Sequence, residues 1–339
     1  MTNPEGVFDA QSLKARLATT DCSGDSATII GYGTMGKQYF KALRALGVRR
    51  IQVCARHEES LQELAGIEGV ERHNNGLEGF AHQAGANELA ILAVPIELLV
   101  PGSLRLVELG FRRLLIEKPV SLESAAIYEL ATTLGSKGVI AACAYNRAVY
   151  PSVIEVAAQA AREGGITSCT YVFTEMIKPD WPERFPASEL ARWGIANSLH
   201  VMSLAHALIG WPQSWHAERS GTIDWHPTGA IFVGAGRSTS GVPFSYHADW
   251  TAKGRWVVEV HTRVASYRLC PLEQVLRRAT ATGEWERVDV PAFAPDVKAG
   301  ITEEVAAMLG SAPDLMARLP TLRQTAELTA YGEQVFGYE

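Results

Sequence analysis

From residue 27 onward the apolar positions alternate between two rhythms. Compact apolar runs occupy residues 27–31, 51–55, 89–95, 114–117 and 139–145, and stretches of helical spacing, 35–46, 59–64, 98–109 and 122–134, lie between most of them. In 35–46, Tyr39, Leu43 and Leu46 share one stripe and Gly47 closes it, which predicts an amphipathic helix with a glycine stop. Strands and helices in alternation, joined by short connections, predict a parallel sheet covered on both faces. Residues 1–26 precede this pattern as an N-terminal extension, with a short helix over 8–17.

The rhythm changes after about residue 148. A helix fits 152–161, closed by "REGG". Longer strand-like runs follow at 167–176, 230–235, 242–250 and 256–262, with shorter ones at 267–270 and 287–290. "FSYHADW" and "VVEVHTRV" read as strands of a large, open, mostly antiparallel sheet, and "GITEEVAAMLG" and "TLRQTAELTAYGEQVF" return to helical periodicity. The fold class is therefore α/β. A doubly wound parallel sheet of the Rossmann type spans residues 27–147, and an α+β domain spans 148–339. A chain of 339 residues suits two domains.

Composition narrows the partners. Apolar residues make up 47% and charged residues 20%, which supports a sizeable core. The net charge of −6, with no block of like charges, gives no nucleic-acid surface and no polybasic membrane anchor. Cysteines stand at 22, 54, 143, 169 and 270, an odd number without C-x-x-C spacing. That pattern predicts buried free thiols in a reducing compartment, no metal site, and a cytoplasmic location. The polar N-terminus lacks the apolar core of a signal peptide, and no apolar run is long enough to span a bilayer.

Directly after the first apolar run stands "GYGTMG", with Gly31, Gly33 and Gly36 in G-x-G-x-x-G spacing and Thr34 and Met35 between the last two. A strand before it, a helix after it and a second strand about 20 residues on make this a dinucleotide-binding turn. The first glycine permits the turn, the second lets backbone approach a pyrophosphate, and the third lets helix and strand pack closely. The phosphates would rest on the helix N-terminus. The second strand ends "VCARHEES". Where many NAD sites carry an acid for the ribose 2′-hydroxyl, this chain has Ala55 and Arg56, with His57 next. A guanidinium suits a 2′-phosphate, so NADP(H) is preferred over NAD(H).

The fifth apolar run ends in "LLIEKPVSLE". Open parallel sheets bind ligands beyond the carboxyl ends of their strands. Glu117 and Lys118 therefore stand where a nicotinamide is expected, with Pro95 shaping a turn beside the cofactor. A desolvated lysine either transfers a proton or donates to a substrate oxygen. Tyr145, Asn146 and Arg147 close the last Rossmann strand near the same edge. Asn146 can position nicotinamide or substrate. Arg147 can bind a carboxylate or phosphate, or pair with an acid between the domains.

"GYGTMG", "AVP" at 93–95, "EKPVSLE" and "AYNRAVYPS" at 144–152 occur in an order that resembles the Gfo/Idh/MocA family, relatives of glucose–fructose oxidoreductase and inositol dehydrogenase. The resemblance runs from about residue 27 to the C-terminal "LPTLRQTAELTAYGEQVF". It implies a Rossmann domain followed by a domain whose open sheet forms a homodimer or homotetramer face. It also implies that Lys118 sits beside both nicotinamide and substrate. A helical histidine of the second domain, commonly the acid–base group within D-x-x-x-H-x-x-D, falls on His200 in "RWGIANSLHVMSLAHALIG". Here Ala196 and Ser203 stand where members often carry Asp, and Asn197, which cannot transfer a proton at neutral pH, is nearby. "ANSLHVMSLAHALIG", "HADWTAKGRWVVEV" and "RLCPLEQ" are similar to a subgroup linked to surface-polysaccharide and sugar-nucleotide pathways, which implies a sugar-like substrate.

The implied activity is hydride transfer between NADP(H) and a secondary alcohol or ketone of a sugar or sugar-nucleotide-like substrate, with Lys118 and His200 catalytic. Three other readings stand beside it: a non-catalytic dinucleotide sensor or scaffold, an imine reductase, and a redox-assisted elimination or glycosidase. His206 reads as structural, and His247 and His261 as sheet residues. Trp181 and Trp193 flank a polar stretch that is either a substrate loop or ordinary packing.

Overall fold

The computed structural model describes residues 7–338. They form two compact units: Lys14–Val149 with Phe293–Ala326, and residues 7–13 with Tyr150–Ala292 and 327–338. The chain begins with helix α1 (Ala10–Thr19), in which Leu13 and Leu17 are buried. Asp9 caps it by accepting the Ser12 N–H at 2.9 Å. The N-terminal segment thus carries core residues of its own; the part of the expected extension before residue 7 lies outside the described residues.

The first unit is built on six parallel strands: β1 (Ser26–Ile30), β2 (Arg50–Cys54), β3 (Val70–His73), β4 (Leu89–Leu92), β5 (Arg113–Glu117) and β6 (Ile140–Ala144). Their order is β3-β2-β1-β4-β5-β6. Helices α2 (Thr34–Ala45), α3 (Gly76–Gly79), α4 (Leu99–Glu108) and α5 (Ser124–Ser136) connect them, and the expected helix at 59–64 is a 3-10 turn, Glu58–Leu64. Four consecutive buried residues in β4 and in β1 show why these runs lack a polar alternation: both faces of the sheet are covered. In α2, Tyr39, Ala42 and Leu43 face inward, and Gly47 at φ +85° turns the chain out of the helix as expected.

The second unit carries α6 (Pro151–Arg162), β7 (Ser168–Phe173), the short helices α7 (Trp181–Arg184) and α8 (Ala187–Ala191), a π turn Gly194–Ser198, and α9 (Leu199–Ile209). Seven further strands follow: β8 (Pro212–Ser220), β9 (Ile231–Ser238), β10 (Pro243–Asp249), β11 (Trp256–His261), β12 (Ser266–Leu269), β13 (Val275–Arg278) and β14 (Glu286–Val288). The eight-stranded sheet runs β14-β13-β12-β11-β7-β10-β9-β8, antiparallel except for the β7–β10 pair. In β10, Phe244, Tyr246 and Ala248 are buried while the residues between them are more open, so one face packs and the other is outward. Helix α9 lies against β7 and β11, and α6 against α9.

Three last helices are α10 (Ile301–Leu309), α11 (Pro313–Met316) and α12 (Leu322–Phe336). A simple cut at 147/148 therefore does not divide the chain, because residues 293–326 return to the first unit. The reason is burial: α10 packs on α2 and β5, every one of its nine residues is buried, and the Cys143 N–H donates to the Pro320 carbonyl at 3.1 Å. Among the described residues no helix is long and apolar enough to cross a membrane.

Candidate active site

In a parallel sheet all strand C-termini share one edge, and the strand order reverses between β1 and β4. Gly31 sits at that reversal with φ +96°, and a Cβ there would run into the Ala93 carbonyl oxygen. A Cβ on Gly36 would run into the Gly31 carbonyl oxygen. These two glycines are demanded by the protein's own backbone. Gly33 is not: it is exposed, and a Cβ on it would meet nothing within 4 Å. The open space lies where the backbone would approach a ligand. Gly33 is also the N-cap of α2 and offers no side-chain hydrogen bond, so the first amides of the helix remain available to an anion.

Beside this turn lies a cavity of about 880 Å³, large enough for a dinucleotide half. Gly31, Gly33, Arg56, His57 and Pro95 all line it, so the turn, the end of β2 and the end of β4 are brought together. Arg56 and His57 are exposed. Arg105 on α4, not singled out in the sequence, lines the same cavity and reaches Glu108 at 3.3 Å. Thr34 and Met35 open α2. Met35 Sδ accepts from Lys298 Nζ at 3.8 Å.

Two strands over, Glu117 ends β5, followed by the cis Lys118–Pro119 bond and Val120 at φ +73°. A β-branched residue in the left-handed region is a rare, strained conformation, and it fixes the turn just after Lys118. Glu117 is buried; its Oε1 accepts from the Tyr39 hydroxyl at 2.7 Å and its Oε2 from the Lys118 N–H at 3.2 Å. Burial pushes the Glu117 carboxyl above its ordinary range, against the pull of Tyr39. Lys118 is half-buried. Desolvation holds its ammonium below the usual lysine range, and the positive charges of Arg147 and Lys298 push the same way while Glu117 opposes them. Glu304 on α10 is fully buried, with no hydrogen-bond partner on either oxygen. Burial, and next the Glu117 charge, push its carboxyl well above the ordinary carboxylate range. Its "TEEV" context in an apolar helix was the signal in the sequence.

Tyr145 and Asn146 are buried after β6. The Asn146 amide donates to the Ala299 carbonyl at 2.8 Å, so it ties the returning segment to the sheet.

In the second unit, His200 is the second residue of α9, 6% exposed, with its ring 6.2 Å from that of Trp256. The turn before it is π rather than α. Gly194 opens it against the Phe336 ring, where a Cβ would clash, and donates its N–H to the Tyr338 hydroxyl at 2.9 Å. Extra-residue turns of this kind recur at functional sites. Ser203 Oγ donates to the His200 carbonyl at 3.0 Å. Asn197 donates to both Glu175 oxygens at 3.1 Å. His206 bonds the Gly210 carbonyl at 2.8 Å, and burial pulls its imidazole down to about 4, as a structural histidine. Trp181 and Trp193, with centroids 4.4 Å apart, are buried in an aromatic cluster, which makes them packing residues.

The architecture defines the class: a Rossmann unit with a glycine cradle at its switch point, joined in one chain to a unit built on a large, mostly antiparallel sheet. It is the fold implied by the resemblance to the Gfo/Idh/MocA dehydrogenases. Solved structures with this fold include UDP-N-acetylglucosamine 3-dehydrogenase GnnA from Acidithiobacillus ferrooxidans, at 15% identity over 92% of this chain and 96% of that one, TM-score 0.67. Levoglucosan dehydrogenase in complex with NADH and levoglucosan matches at 18% identity over 92% and 96%, TM-score 0.68. An NAD binding oxidoreductase from Klebsiella pneumoniae matches at 14% over 92% and 96%, TM-score 0.70. No protein-family model and no curated protein sequence matches the chain.

Proposed function

We propose that the chain is a Gfo/Idh/MocA-type oxidoreductase that uses a nicotinamide dinucleotide, NADP(H) in preference to NAD(H), on a secondary alcohol or ketone of a sugar-like substrate. One observation carries the reading: a glycine turn whose middle position is open, an exposed Arg56 and a desolvated Lys118 all stand at the C-terminal edge of one parallel sheet. Dehydrogenases that share the fold, acting on sugars by their names, support the substrate class. The turn and the first amides of α2 would hold the pyrophosphate, and Arg56 with His57 the adenosine ribose.

When bound, the nicotinamide supplies the redox step, accepting or giving a hydride. The side chains supply orientation, charge and the proton. Lys118 donates to the reacting oxygen and stabilises its developing charge, and a lowered pKa makes its proton easier to share. His200 takes up or gives the hydroxyl proton. Asn197 and Arg147 contact substrate. The outward face of the eight-stranded sheet supports a homodimer or homotetramer.

The experiment is incubation of the pure protein with NADPH and a panel of 3-keto and 4-keto sugars, followed at the cofactor's absorbance. Turnover of one or more is expected. A cofactor-binding sensor is the second reading, favoured by Ala196 and Ser203 in place of acids; NADPH binding without turnover across the panel would establish it.

A further inference from the structure

Neither Ala196 nor Ser203 supplies a carboxylate beside His200, but a buried carboxylate from another element holds the turn that leads into its helix. Glu175 lies two residues beyond the last residue of β7 and is 4% exposed. A carboxylate so deep is costly unless it is hydrogen-bonded. Its Oε1 accepts from Ser198 Oγ at 2.7 Å, and both oxygens accept from Asn197 Nδ2 at 3.1 Å. Both donors belong to the π turn, and the turn runs directly into α9, which carries His200 two residues after Ser198. The end of β7 and His200 also border the same side chain. Trp256 is paired in register with Phe173, and its ring neighbours that of His200.

We infer that Glu175 is a positioning residue for His200, fixing the turn that aims the imidazole and giving it the negative charge that α9 itself lacks. The other ionisable groups on the elements packed against α9 have different partners. On α6, Glu155 accepts from the Ala10 N–H and Gln159, and Arg162 pairs with Asp9. On β11, Glu259 pairs with Arg268, and His261 bonds Ser266. On β7, Tyr171 bonds Tyr331, and Cys169 is a buried thiol that burial keeps protonated. His206 on α9 bonds Gly210.

The inference rests on His200 being the acid–base group of the proposed reaction, and its test needs no turnover. The midpoint of the His200 imidazole is read by NMR of the histidine-labelled full chain. In Glu175→Gln, which keeps shape and removes charge, the midpoint falls by about half a pH unit or more. Adding Ala196→Asp to that variant restores it. Should Glu175→Gln fail to fold, the Asn197→Ser, Ser198→Ala double variant releases the carboxylate from its donors and displaces the midpoint as well. An unchanged midpoint in a folded variant overturns the inference. A displaced midpoint in a protein that turns over no substrate leaves the inference standing and removes the catalytic reading instead.

Discussion

At the scale of single residues, the two cations to which the proposed function gives roles at the Rossmann edge differ in how deeply they are held, and the difference sets what their replacement should do. Lys118 is half-buried, follows a buried carboxyl that also accepts its N–H, and precedes a strained Val120. In the proposed reaction it acts on the reacting oxygen and not on phosphate, so Lys118→Ala is expected to lower kcat by about two orders of magnitude or more, while NADPH affinity stays within a few-fold. Steady-state rates beside fluorescence titration of the cofactor make the comparison. A near-full rate would remove Lys118 from the mechanism. Arg56 is an exposed side chain on the rim of the cavity, and among the described residues it makes no ion pair. Its proposed role is the 2′-phosphate alone. Arg56→Asp therefore weakens NADPH about tenfold or more and leaves NADH little changed, because a charge-assisted contact to phosphate is replaced by repulsion. An unchanged ratio of the two dissociation constants would place the 2′-phosphate elsewhere.

At the scale of elements, the strand–turn–helix from β1 to α2 separates folding from binding within six residues. Gly36→Ala puts a methyl against the Gly31 carbonyl and destabilises the fold by several kcal/mol, on the order of a severe core lesion. Gly33→Ala meets no protein atom within 4 Å. Its cost to stability is about 1 kcal/mol or less, but the methyl occupies the space where the ligand's phosphates approach, and cofactor affinity drops. Chemical denaturation of both variants, with and without NADPH, distinguishes the two glycines. Helix α10 gives an element-scale pH dependence. Burial pushes the Glu303 carboxyl up to about 7 from 4.5. Below about pH 4.5 both folded and unfolded chains carry the proton. Between 4.5 and 7 only the folded chain does, so stability falls as pH rises through that window, by up to about 3 kcal/mol from this group. Glu303→Gln removes that slope and stabilises the protein at pH 8 relative to pH 4.5. Parallel urea unfolding curves at the two values provide the check.

At the scale of the whole molecule, what was legible in the sequence was what is local. The strand–helix alternation, the glycine turn and the Gly47 stop each depend on residues within one turn or one strand, and the observed elements fall close to the expected ranges. Three strands were not visible. β3 and β8 carry polar or charged residues at most positions, and β13 at two of its four, because they sit at or near sheet edges, where apolar patterning is weak. Contacts distant in sequence were equally invisible: the bonds from Asn197 and Ser198 of the π turn to Glu175, Glu304 behind Glu117, Tyr338 under Gly194 and the return of 293–326 to the Rossmann unit. That return makes a last prediction possible. Every residue lining the cavity beside the glycine turn lies within 30–105, inside the unit of Lys14–Val149 and Phe293–Ala326. A ligand that binds only the folded state stabilises it by about 2.7 kcal/mol at a hundred times its dissociation constant. Because α10 shares its core with α2 and β5, the protection should spread to a segment almost 200 residues beyond the cavity, while β8 and β9 gain little. Hydrogen exchange with saturating NADPH should slow in β1, α2, β2 and also in α10. Slowing confined to the first 149 residues would mean that 293–326 folds independently of the cofactor's unit.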